Sequence, residues 1–391
     1  MSALSGVRVF DFGRYVAGPW CGQLLQGLGA DVVRVERPGG GEDRSVVPVG
    51  PEQVGSYLVH CGRGKRSMTL RPNASAAGEI VDRIIGAADV IVANVPDETL
   101  AAIGLDWAHV HDVNPRCVLA TATTFGTIGP YSGRLGFDGV GQVMSGSTHL
   151  AGHPGDPMKS FVPWVDYGTA TLLALGVVAA LHERTATGVG RRVEASLLAT
   201  ALANTGHMLI EQAVEHTDRA GTGNRHPAIG PSDIVATRDG HLIVQVVGDA
   251  MFARWCALVG RDDLVGDPRF VDDPARGDNG VELSKIHAEW CATRTTAQAI
   301  SELATAEIPA GPVLTLGGVL ADPHVASVML DQAIVPGVGT IPVTGYPLRY
   351  DGAMPGFGDR PPAVGEHTDD VLGELGYDIE AIAVLRAGRA V

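Results

Sequence analysis

Asp166 is the first residue to invite a chemical reading. It stands in PWVDYGTATLLALGVVAALHERTAT, residues 163–187, just ahead of the apolar positions Leu172, Leu173, Leu175, Val177, Val178 and Leu181. An aspartate there is a favoured helix N-cap, its oxygen accepting from first-turn amides, and the polar His182, Glu183 and Arg184 mark where the helix surfaces. Asp166 is therefore expected at the mouth of a buried helix, either as a cap alone or as a carboxylate with a reacting partner. A second group is basic: Arg34 and Arg37 around the end of a predicted second strand, and Arg63, Lys65 and Arg66 ahead of a third. In a chain of formal net charge -15, cations gathered near the ligand edge of a sheet suit phosphates, and a solvated charged face is the competing reading. Asn94, in VANVP, directly follows a strand, placed to hydrogen-bond a ligand or to begin a turn.

The elements that must position these groups alternate. Residues 7–12 read as a strand, 20–28 as an apolar helix and 31–36 as a second strand, which is a βαβ unit and implies a parallel sheet. Strands over 67–70, 89–93 and 117–121 and a helix over 76–87 continue the alternation into a doubly wound domain, whose ligands belong at the carboxyl ends of the strands. The first βα loop, Gly13-Arg14-Tyr15-Val16-Ala17-Gly18-Pro19-Trp20, is not GxGxxG, because Tyr15 fills the middle place. It is not a P-loop either, because Pro19-Trp20 stand where Lys-Ser/Thr must be. Dinucleotide and ATP chemistry lose their support there.

At 391 residues, 45% of them hydrophobic, two domains are the default. The acidic balance argues against a nucleic-acid partner. Five cysteines, scattered and never in CxxC spacing, fit reduced thiols rather than a disulfide or zinc framework. No metal is expected. The N-terminus carries no export signal, and the apolar run 169–181 is shorter than the roughly 20 residues a bilayer demands, so the expected location is cytoplasmic with no membrane contact. Residues 221–231, GTGNRHPAIGP, read as a linker into a smaller domain with strands over 234–237 and 241–246.

Eight ordered strings then resemble one family. They are GVRVFDFGRYVAGPWCGQLLQGLGADVVRVERPGGG at the start, GRGKRSMTL, TFGTIGPYSGRLGFD, VDYGTA around Asp166, GNRHPAIGP, IPAGPV, LADPHV and the closing GEHTDDVLGELGYD. Together they are similar to the family III CoA-transferases, the CaiB/BaiF group. The resemblance implies an α/β fold in which a Rossmann-like parallel-sheet large domain is built from both chain ends (residues 1–223 and 321–391) around a small domain (224–320), with two subunits interlocked as a homodimer. It implies CoA or acyl-CoA as substrate rather than a permanently bound cofactor, with a carboxylic acid as the other partner. CoA moves between acids through an aspartate that matches Asp166. In that chemistry the carboxylate attacks the donor thioester, giving a mixed anhydride and CoA thiolate, and the thiolate returns to leave an aspartyl-CoA thioester. A helix N-terminus would favour the ionised nucleophile by up to about 2 kcal/mol, and its amides would stabilise the oxyanion of each tetrahedral intermediate.

The matching CoA-contact positions are Arg14, Tyr15, Val16 and Ala17 in the first loop, Arg37, Lys65, Arg66, Asn94 and Val95. Ala102 stands where several members carry an arginine, so a phosphate contact is either missing or supplied by Arg63 or Arg134. α-Methylacyl-CoA racemases share the fold, but place a histidine where this chain has Phe137, which makes racemisation the second reading. A non-catalytic acyl-CoA binder is the third. His226 and His324 fall in family strings without an assigned role and are taken as structural.

Overall fold

The computed structural model describes residues 2–391 and divides into two compact units. The first joins Met1–Ser145, Ser160–Ile210 and Pro323–Val391; the second joins Gly146–Lys159 and Glu211–Asp322. The second unit thus begins earlier than position 224 and also takes in a segment far upstream of it.

The first unit is organised by six parallel strands: β1 (Arg8–Asp11), β2 (Asp31–Glu36), β3 (Arg66–Thr69), β4 (Val90–Ala93), β5 (Val118–Thr123) and β6 (Arg192–Ser196), in the order β3-β2-β1-β4-β5-β6. This is the doubly wound order, whose direction reverses between β1 and β4, so a crevice opens beyond their carboxyl ends. Apart from the edge strand β6, which is half-buried to exposed, the strands are buried on both faces, as helix-covered parallel strands are. On one side Val9, Val32, Val90 and Val118 pack against the helices Ala17–Gly27 and Trp164–Thr187. On the other, Phe10, Val33, Met68 and Ile91 meet Ile80 and Ile84 of the helix Ala77–Ala87, together with Val371, Leu372, Ile382 and Leu385 from the C-terminal helices Thr368–Glu374 and Ile379–Ala387. Both ends of the chain therefore build this core.

The Trp164–Thr187 helix buries Val165, Thr169, Leu173, Val177 and Leu181, every fourth residue, and is stopped by Gly188 in the left-handed region. It is the one described helix long and apolar enough to cross a membrane, longer than the run 169–181 suggested. One face of it nevertheless belongs to the sheet core. Its other face leaves Leu172, Leu175 and Val178 exposed.

The second unit holds a three-stranded antiparallel sheet, Ala310–Pro312, His241–Gln245 and Ser232–Ala236. Its core is aromatic, with Phe252, Trp255 and Phe270 buried together.

Candidate active site

Two cavities open where the sheet order reverses. The larger, about 400 Å³, runs along the carboxyl ends of β1 and β2 and is lined by Phe12, Arg14, Arg34, Arg37, Ala102 and His109 among others. The smaller, about 210 Å³, is lined by Tyr15, Val16, Ala17, Asn94, Arg134, Phe137 and Asp166. Arg14 and Val95 line both.

The loop after β1 shapes this region through close packing. A Cβ at Gly13 would lie 2.8 Å from the Cα of Gly18, and one at Gly18 would lie 2.9 Å from Asn94 Oδ1. The GxxxxG spacing therefore lets the loop fold onto itself, and no phosphate cradle is needed to explain it. Asn94 Oδ1 accepts from the Arg14 amide (2.6 Å) and its Nδ2 donates to the Arg14 carbonyl (2.8 Å). Asn94 thus clamps the β1 loop from the end of β4. Tyr15 is held at φ 60°, a strained conformation for a bulky residue that tends to survive where function requires it. Its ring meets Phe137 edge-on at 5.9 Å.

Asp166 lies in the first turn of its helix but does not cap it. The helix begins two residues earlier, Pro163 is the N-cap, and no N-cap side chain bonds to it. The cap comes from Asp138, whose Oδ2 accepts from the amides of Val165 (2.8 Å) and Asp166 (3.1 Å). Asp138 is itself buried and takes a further hydrogen bond from Gln142. The remaining first-turn amides are also taken, Trp164 by the carbonyl of Val162 and Tyr167 by that of Pro163. These amides are therefore not available to an oxyanion, contrary to what a bare helix N-terminus suggests. Burial, and then the neighbouring charge of Asp138, push the Asp166 carboxyl up from its ordinary value of 3.8 to about 7. The helix end does not hold it ionised, because a second carboxylate occupies that end.

If Asp166 must be ionised to react, kcat/KM falls roughly tenfold per pH unit below the raised value. Asp138→Asn keeps an oxygen for the cap but removes the charge, so the acidic limb should move to lower pH. A pH profile that does not move would show that Asp138 has no electrostatic hold on Asp166.

The other sequence-derived positions separate into two groups. Arg14, Tyr15, Val16, Ala17, Asn94 and Val95 line the smaller cavity with Asp166, and Arg37, 57% exposed at its side chain and paired with Glu42, lines the larger. Lys65 and Arg66 do not join them. Lys65 is buried, its Nζ donating to Asp11 Oδ2 and to the Pro19 carbonyl, both at 2.7 Å. Arg66 is the first residue of β3 and pairs with Asp31, the first residue of β2, and with Glu374, which puts it at the amino edge of the sheet, away from the cavities. Arg63 is also buried, bonded to Asp331 and to the Thr344 carbonyl. Near Asp166, Tyr57 is a residue that sequence reasoning passed over: burial first, then the charge of Asp166, raise its phenol. Asp138 was visible in the string GRLGFD, but only its neighbour Phe137 was weighed.

A family model described as CoA-transferase family III matches residues 4–368. The chain is 33% identical to a succinate–glutarate CoA-transferase of Agrobacterium fabrum, covering 95% of each chain. It is 31% identical to a succinyl-CoA–D-citramalate CoA-transferase of Chloroflexus aurantiacus, covering 99% of this chain and 98% of that one. Among solved structures, a CaiB/BaiF family protein from Brucella suis superposes with a TM-score of 0.82 at 31% identity, covering 96% of this chain and 99% of that one.

Proposed function

From the premise that this chain belongs to CoA-transferase family III, we propose that Asp166 is the nucleophile through which it carries CoA from a donor thioester to a carboxylic acid. The observation that carries this is the cavity around Asp166: among the described residues it is the sole carboxylate on that wall, half-buried beside apolar Val16, Ala17, Phe137 and Leu197. Attack by Asp166 Oδ on the thioester carbonyl expels CoA thiolate and leaves a mixed anhydride. The thiolate then attacks the aspartyl carbonyl, releasing the donor acid and leaving aspartyl-CoA. The acceptor carboxylate attacks that thioester, and the expelled thiolate takes the acceptor's acyl group, which frees the Asp166 carboxylate. No water is consumed, so an apolar cavity wall serves the reaction by protecting the anhydride.

Oxyanion donors must come from groups other than the Trp164–Thr187 amides. Val16 and Ala17, on the cavity wall, begin the Ala17–Gly27 helix, whose first-turn amides lack partners within the helix. CoA would lie with its nucleotide end in the larger cavity, near Arg14 and Arg37, and its sulfur end at Asp166.

Phe137 speaks against racemisation. That reaction needs acid/base groups on both faces of the α-carbon, and Phe137 has no titratable group and points its ring at Tyr15. The test of the transferase reading is to incubate the protein with an acyl-CoA and hydroxylamine and digest it for mass spectrometry. A hydroxamate on Asp166 is the expected product. An unmodified Asp166, with α-deuterium entering the acyl-CoA in heavy water, would replace transfer by racemisation, and binding without either would leave a passive acyl-CoA carrier.

The exposed Leu172, Leu175 and Val178 on the core helix suit burial against a second copy, in line with the homodimer the family resemblance implies. Light scattering should return twice the 40.6 kDa chain mass; a monomer mass would remove that proposal.

A further inference from the structure

Arg134 is a cation that the catalytic scheme leaves unused. It lines the Asp166 cavity and not the larger one. Its guanidinium lies 4.0 Å from the centre of the Tyr131 ring, in the same loop. Among the described residues no carboxylate pairs with it, whereas Arg34 is neutralised by Asp43 and Glu36, and Arg37 by Glu42. Arg14 also has no carboxylate partner among these ion pairs, but it lines both cavities, where a bridging pyrophosphate would use it.

Arg134 does not replace the missing phosphate contact at Ala102. Ala102 is on the wall of the larger cavity, which Arg134 does not line. In an extended CoA the pantetheine arm separates the phosphates from the sulfur, so a cation on the wall of the Asp166 cavity is at the acyl end. There the reacting carboxyl carbon is engaged by Asp166 and CoA. A guanidinium on the wall of the same cavity has use for a second anionic group on the same acid, and its planar fork matches a carboxylate.

Resting on the transferase reading above, we infer that Arg134 binds the distal carboxylate of the acyl group, and that the substrates are short dicarboxylic acids. Stacking on Tyr131 orients the guanidinium and reduces the freedom it loses on binding.

Two measurements keep this inference separate from the transferase reading. The first is binding to Asp166→Asn, which cannot turn the thioester over. Succinyl-CoA should bind more tightly than butyryl-CoA, which has the same carbon chain without the distal carboxylate, and adding Arg134→Met should erase that preference, roughly a 10- to 100-fold loss for succinyl-CoA alone. Free CoA should bind both forms equally. Equal binding of the two esters, or a loss of free-CoA affinity in Arg134→Met, overturns the inference. The second is turnover in the chain with Asp166 intact. There Arg134→Met should lower kcat/KM for dicarboxylates by a similar factor while monocarboxylates change by less than about threefold, with Arg134→Lys intermediate. If the binding preference holds but no acid exchanges CoA, the transferase reading fails and the assignment of Arg134 stands.

Discussion

Replacing Asp166 with alanine should lower CoA exchange between acids by at least about 10⁴-fold, the scale at which a catalyst that depends on a covalent nucleophile collapses when the nucleophile is removed. Binding of CoA should change little if, as proposed, the nucleotide end lies along the larger cavity, which Asp166 does not line. The fold should gain rather than lose. Burial and Asp138 hold the Asp166 carboxyl near 7, well above its value in an unfolded chain, so the folded state resists ionisation. That penalty is absent below about pH 4, grows as pH rises and is complete above about pH 7. Asp166→Asn should therefore melt higher than the parent at pH 8 and at the same temperature at pH 4, with a difference of no more than about 4 kcal/mol. Such a gain on deleting a reacting group is the expected mark of a site that trades stability for chemistry. An alanine variant that still exchanges CoA would remove Asp166 from the mechanism, whatever its stability.

The sheet was legible because most of its strands are short apolar runs between turn residues, and the strands read over 7–12, 31–36, 67–70, 89–93 and 117–121 all stand in it. Most boundaries were read to within a few residues. The helix at Asp166 was legible too, since its buried face repeats every fourth residue from Val165 to Leu181. What caps that helix was not legible. The capping carboxylate, Asp138, lies 28 residues upstream of the Asp166 amide it bonds, and no local pattern reports a contact closed by tertiary structure. The basic residues failed for a different reason. Arg63 and Lys65 precede β3 and Arg66 opens it, and residues at the start of a parallel strand arrive at the amino edge of the sheet, whereas ligands bind beyond the carboxyl edge. Arg66 accordingly meets Asp31 and Glu374 there. Lys65 reaches inward to Asp11, at the end of β1, and becomes part of the scaffold. Charge clustering in the chain was thus a poor guide to charge clustering in space, whereas Arg14 and Arg37, which follow strands, did reach the cavities.

The Lys65–Asp11 pair carries the largest expected effect on stability. Both side chains are essentially inaccessible, and the second oxygen of Asp11 accepts from the amide of Gly13 (2.8 Å) at the start of the cavity loop. Lys65→Met removes the cation and leaves Asp11 buried without its ion-pair partner, which costs about 3–5 kcal/mol, since the desolvated charge no longer has a counter-ion. On a domain of this size that lowers the melting temperature by on the order of 10 °C. Because the pair ties β1, β3 and the Pro19 carbonyl together, the loss should appear in the unfolding of the first unit. The double variant Asp11→Asn, Lys65→Met removes both charges together and should recover much of the loss, with the shortfall measuring what the ion pair contributes beyond the absence of an unpaired charge. CoA affinity separates this role from phosphate binding. A lysine that contacts phosphate would, when replaced, leave the melting temperature alone and weaken CoA binding, with a smaller dependence on salt. A scaffold lysine does the reverse: the single variant melts early, and the stabilised double variant binds CoA within about threefold of the parent. If Lys65→Met keeps the parent's melting temperature and loses CoA, the ion pair is dispensable and the phosphate reading of Lys65 is restored.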